Sequence, residues 1–113
     1  MFGLGDFIRM SAHDTLPLPA RRALQKLGHD LALARRKRRL STADMAERLF
    51  VSRDTLWRLE RGDPGVGIGT LATAAFILQL HERLATLAAP GTDDIGLGLE
   101  ERRLPKRIRR KTP

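Results

Sequence analysis

STADMAERLFVSRDTLWRLERG, residues 41–62, is the stretch whose reading decides the fold. Ser41 followed three positions later by Asp44 is the pattern of a helix capping box. At about 100° per residue, Thr42, Met45, Ala46 and Leu49 share one arc of the helix that follows, and Ala43, Asp44, Glu47 and Arg48 share the other. Ala46 is small, so a second helix can approach closely. Ser52 repeats the capping signal. Behind it Thr55, Leu56 and Leu59 form an inner arc, while Arg53, Trp57, Arg61, Asp54 and Arg58 form one continuous outer arc. The expectation is two short helices across a tight turn, the second carrying a polar, arginine-rich outer face.

Charge gives that face a partner class. The chain has 113 residues, with 21 Lys and Arg against 13 Asp and Glu for a net charge of +8 and a sequence pI near 11.4. Such a field favours polyanions, of which nucleic acid is the commonest. Two short helices with an outward basic arc are the anatomy of a helix-turn-helix, whose second helix enters the major groove of DNA. The length fits one modest core, without covalent staples. There is no cysteine, which excludes disulfides and thiol chemistry and agrees with a cytoplasmic location. No apolar run reaches transmembrane length, and MFGLGDFIRM lacks the pattern of a signal peptide, so no membrane partner is expected.

Outward from the motif, residues 1–19 read as an arm with scattered Phe2, Leu4, Phe7 and Ile8 and a proline-interrupted LPLP. From Ala20, Leu24, Leu27, Leu31 and Ala34 recur at helical spacing and predict a helix over 20–38 with one buried face. It ends in RRKRR, residues 35–39, which is either a solvated end favoured by the helix dipole or a strip beside a phosphate backbone. GDPGVGIG, residues 62–69, has alternating glycines, but no strand precedes it and no Lys-Ser or Lys-Thr follows. It therefore reads as a turn and helix start, not a nucleotide loop. Residues 70–88 are apolar nearly all round: Leu71, Ala74, Ala75 and Leu78 supply an inward face, leaving Phe76, Ile77, Leu80, Leu84 and Leu87 over. Either the last helix folds back to cover this surplus or a second copy buries it. A two-fold dimer, which also suits two half-sites about 34 Å apart on a palindromic operator, is the preferred expectation.

Residues 24–80 resemble the Xre, or Cro and phage-repressor, family of helix-turn-helix domains. Leu40, Ser41, Met45, Ala46, Val51, Ser52, Thr55, Leu56, Glu60, Arg61 and Gly62 carry the likeness. It implies an all-α fold: a five-helix domain over 20–89 between the arm, 1–19, and a basic tail, 90–113. It also implies a structural ion pair between Arg35 and Glu60, and a loop after Gly62 that runs along the DNA backbone. Two positions depart from the pattern. Thr42 stands where the family usually has a Gln that touches phosphate and base. Phe50 stands at the usual turn Gly, where a positive φ strains a bulky residue by about 1 kcal/mol or more. Either the turn differs there, or packing of the ring offsets the strain.

The outer arc assigns roles. Arg53 and Arg58 are expected to read bases, guanine through a bidentate fork, with Asp54 accepting from cytosine or orienting an arginine. Thr42 and Trp57 stand at the edge, Trp57 against a thymine methyl or against its own scaffold. Arg36, Arg38, Ser52 and Arg61 are the expected phosphate contacts.

After Pro90, GTDDIGLGL, residues 91–99, alternates apolar residues with Gly, compatible with a short strand or an extended docking segment. EERRLPKRIRRKTP then carries seven Lys or Arg against two Glu. Together with RGDPGVGIGTLA, this tail resembles that of HipB-like regulators, the antitoxins of type II toxin-antitoxin pairs. The resemblance implies a HipA-type kinase as toxin partner and repression of the shared operon. The rival expectations are a protein-binding inhibitor with secondary DNA binding, a stand-alone phage-like regulator, and nonspecific RNA binding through the tail. An enzyme is not expected. His13, His29 and His81 lie in no HExxH frame, Asp93 and Asp94 are paired only by adjacency, and neither metal nor cofactor is implied.

Overall fold

A computed structural model of the chain describes residues 15–99, 102 and 104–110. The arm lies outside the described residues as far as position 14. Helix α1 spans Leu18–Lys37, α2 Thr42–Leu49, α3 Arg53–Glu60, α4 Ile68–Ile77, α5 His81–Ala85 and α6 Asp94–Leu97, with a 3-10 turn at Pro90–Thr92. No strand occurs among the described residues, and the fold is all-α. The chain divides into two compact units, Met1–His81 and Glu82–Pro113, the division falling within α5 and ahead of Pro90.

In the first unit α1 starts inside the LPLP run. Pro19 sits in the first turn, where a missing N–H costs no helical bond, so the prolines begin the helix instead of interrupting an arm. The buried line of α1 is Gly28, Leu31 and Arg35, with Leu24 and Ala34 half-buried and Leu27 left open. The line shifts away from Leu27 because α3 closes on Gly28. A Cβ there would lie 2.7 Å from the carbonyl oxygens of Leu59 and Glu60 and from the Gly62 nitrogen. Gly62 completes this seam: its φ is +78°, and a Cβ would come within 2.5 Å of the Leu24 carbonyl. Helix α3 is thus held backbone-close to α1, which orients its opposite face.

Both short helices are capped at their starts. Ser41 Oγ accepts from the Asp44 N–H at 3.0 Å, and Ser52 Oγ from the Thr55 N–H at 3.1 Å. Each such cap contributes about 1 kcal/mol. Met45, Ala46 and Leu49 of α2 meet Leu56 and Leu59 of α3 in one buried cluster with Leu31, Ala74 and Leu78. Met45, Leu56 and Leu78 are the largest side chains wholly inside, each worth about 1.5–3 kcal/mol of burial. Thr42, placed with the inner arc by periodicity, is exposed because it opens the helix.

Phe50 ends α2 in the left-handed region, φ 56° and ψ 38°. Its N–H bonds to the Glu47 carbonyl and that of Val51 to the Ala46 carbonyl, a helix-ending pattern that usually takes glycine. The turn is therefore the ordinary one. The ring does not pack to relieve it, being 95% exposed.

Ile77 and Leu80 pack half-buried against the first unit's own cluster, which reduces the apolar surplus read from the sequence. Phe76 is 63% exposed, with the tilted His81 ring beside it at 5.4 Å between centroids. In the second unit Leu84 is half-buried and Leu87 exposed. There Pro90–Thr92 and Asp94–Leu97 are helical instead of extended. The Asp93 carboxylate accepts from the Gly96 N–H at 3.0 Å and caps α6, a local bond that the alternating pattern conceals.

Candidate nucleic-acid interface

Helix α3 and the turn after it set out the candidate surface. Leu56 and Leu59 are buried, so the helix cannot roll, and Arg53, Asp54, Trp57 and Arg61 stand exposed on the opposite arc. The inner side is fixed by Arg35. Its Nε donates to Glu60 Oε2 at 2.7 Å, one terminal nitrogen to Glu60 Oε1 at 3.1 Å and the other to the Leu40 carbonyl at 2.9 Å. A buried guanidinium with both edges bonded ties α1, the entry to α2 and the end of α3 to one another.

On the outer side the aromatic and the cations interact. The Arg61 guanidinium lies over the Trp57 ring at 4.2 Å from its centroid, while the indole remains 55% exposed. The stack holds a positive charge at the end of α3, where Arg61 makes no salt bridge with a described residue. Arg58 is placed differently. Half-buried at the edge of the arc, it donates from Nε to Asp63 Oδ2 at 2.9 Å. The other carboxylate oxygen accepts the Gly65 N–H at 2.7 Å. These two donors, with Arg61 nearby, hold the Asp63 carboxyl below the usual carboxylate range, and Asp63 raises Arg58 in turn. Asp63 is absent from the sequence-level assignment. Its signal was present in Asp-Pro-Gly, a turn in which Asp bonds the backbone two residues on.

The remaining positions vary in what they leave open. Arg53 makes no ion pair with a described residue. Thr42 is exposed at the first position of α2. Ser52 spends its hydroxyl on capping α3 and on Thr55 Oγ1 at 3.1 Å. Arg36 is exposed, whereas Arg38 folds back onto the Ala34 carbonyl at 2.9 Å.

The groove bounded by Leu24, Leu27, Val66, Ile68 and Leu71 holds about 210 Å³, less than an ordinary ligand pocket of about 300 Å³ or more. Among the described residues no three His, Asp or Glu side chains gather so as to hold a metal ion, and no helix is long and apolar enough to cross a membrane.

Residues 26–88 match the family model described as a helix-turn-helix domain. The chain belongs to that family, and its class is that of a DNA-binding helix-turn-helix regulator. No curated protein and no solved structure matches it.

Proposed function

We propose that the protein is a sequence-specific transcriptional repressor that reads a palindromic operator through the outer arc of α3 and works in the cytoplasm. One observation carries this reading: Arg53, Asp54, Trp57 and Arg61 are exposed together on a helix whose opposite side is locked by Leu56, Leu59 and the Arg35–Glu60 pair. Arg53 and Arg58 take guanine edges, Asp54 accepts from cytosine or steadies an arginine, and Thr42 and Trp57 border the site. Arg36, Arg38 and Arg61 supply phosphate attraction, and Ser52 contributes by aiming the N–H groups of the helix it caps. Two copies pair through the apolar residues of the 70–88 stretch, Phe76, Ile77, Leu80, Leu84 and Leu87, giving half-sites about 34 Å apart; Phe76 and Leu87 are exposed.

Selection of bound duplexes from a random pool tests the reading. The wild-type chain should enrich a two-fold sequence. Arg58→Ala should cost about 1–3 kcal/mol and relax one position, while Arg61→Ala should flatten the salt dependence by about one unit and leave sequence choice intact. Enrichment of no sequence, with binding set by salt alone, contradicts it.

The narrower proposal is an antitoxin that also binds and neutralises a HipA-type kinase. It is supported by the likeness of RGDPGVGIGTLA and the 90–113 tail to HipB-like regulators. Its test is the adjacent reading frame: a kinase there that copurifies with this chain supports the pairing, and a neighbour of another kind removes the antitoxin role while leaving the repressor.

A further inference from the structure

We propose that Asp63, in the loop beyond the recognition helix, is a positioning residue for base reading: it holds Arg58 by one edge so that the other edge of the guanidinium meets the base. The inference rests on the reading of α3 as the helix that enters the groove.

A guanidinium offers two forks of donors, a side fork that uses Nε and an end fork made of the two terminal nitrogens. Asp63 Oδ2 occupies Nε at 2.9 Å. The terminal nitrogens bond to none of the described residues, so the end fork stays open. The end fork can take O6 and N7 of guanine in a bidentate pair. Asp63 is itself held from two sides. Its Oδ1 accepts the Gly65 N–H at 2.7 Å, and its own N–H donates to the Arg58 carbonyl at 2.9 Å. The acid is thereby tied to the residue that it orients.

Two consequences separate this arrangement from an incidental ion pair. A guanidinium oriented before the duplex arrives gives up less side-chain freedom on binding, so the gain falls on one base contact and not on the whole surface. The pair is also neutral as a unit. Arg58 then adds little to the phosphate attraction that Arg61 supplies, and losing Asp63 should cost sequence choice without weakening general affinity.

The experiment uses the full chain, the duplex enriched by the wild type and its single-base variants. Wild type, Asp63→Asn, Arg58→Lys and the double variant are compared, each with a thermal melt. Asp63→Asn should lose about tenfold in discrimination at one base pair, the same one that Arg58→Lys relaxes. The double variant should be no worse than either single one, with other positions and melting unchanged and the salt slope no shallower, because the substitution removes a negative charge. Asp63→Asn overturns the inference if it keeps discrimination at the position that Arg58→Lys relaxes, if it weakens all positions alike, or if it tightens binding with discrimination kept, which would make Asp63 a mask. Should Asp63→Asn lower the melt, Asp63→Glu, which keeps the charge and displaces the fork, decides the matter: a change confined to the Arg58 position supports the inference and a uniform one overturns it. A variant Arg58→Lys that relaxes no position overturns the Arg58 assignment itself, an outcome separate from failure of Asp63 alone.

Discussion

Two arginine–carboxylate pairs on either side of α3 have nearly the same contact length and opposite consequences. Arg35 meets Glu60 at 2.7 Å with side chains 9% and 14% exposed, and Arg58 meets Asp63 at 2.9 Å with side chains 37% and 35% exposed. The inner pair has lost most of its water, and the third Arg35 guanidinium nitrogen donates to the Leu40 carbonyl. Removing one partner strands a buried charge. The outer pair keeps solvent on both groups, which screens it, and keeps one guanidinium edge open. Burial, more than distance, separates a bond that fixes the recognition helix from one that displays a donor on it.

Substitutions on the two sides should diverge accordingly. Arg35→Ala is expected to destabilise the fold by about 3 kcal/mol in urea unfolding, because the Glu60 carboxylate and the Leu40 carbonyl both lose a partner in a place that water reaches poorly. A loss below about 1 kcal/mol would place the inner pair in the class of exposed pairs and erase the contrast. Phe50→Gly should act in the opposite direction. The left-handed φ of 56° costs an L-residue about 1–2 kcal/mol, and glycine removes that cost while adding unfolded-chain entropy. A net gain of about 0.5–1 kcal/mol, read as a higher melting temperature, is expected since the exposed ring has no packing to lose. A lower melting temperature would mean that the ring makes a contact after all. The smallest effect should come from pH. The Asp63 carboxyl is depressed by Arg58 and Gly65, so its contribution is complete above the unfolded carboxylate's pKa and is lost only as pH falls through the lower folded value. Base discrimination at the Arg58 position should therefore be flat between about pH 5 and pH 8. A change within that window would point to a group other than Asp63.

The divergence also marks where sequence reading succeeds. Arcs on α2 and α3 were legible because Met45, Ala46, Leu49, Leu56 and Leu59 repeat at helical spacing and Ser41 and Ser52 sit at the capping positions. The inner seam was legible less directly. Periodicity assigned Leu27 to the buried face of α1, and Gly28 took that role because a missing side chain admits the backbone of α3, which no apolar count registers. Ile77, at the end of α4, and Leu80, just beyond it, appear surplus on a one-helix wheel, and both pack against the core cluster. Asp63 is not legible from helical spacing since it lies beyond the end of the helix that carries its partner Arg58, where spacing rules for helical pairs no longer apply. On 91–99, one side-chain cap at Asp93 outweighed an alternation that resembled a strand.

Trp57 is the chain's single tryptophan and lies within the arc assigned to DNA, so its emission reports on that face alone. The direct test is to titrate the chain with an end-labelled enriched duplex and follow label anisotropy, Trp57 emission and acrylamide quenching together. Emission should change in step with anisotropy, and acrylamide access to the half-exposed indole should fall as the duplex and Arg61 enclose it. A duplex that binds by anisotropy while emission and acrylamide access stay as in the free protein would contradict the assignment of the outer arc of α3 to DNA.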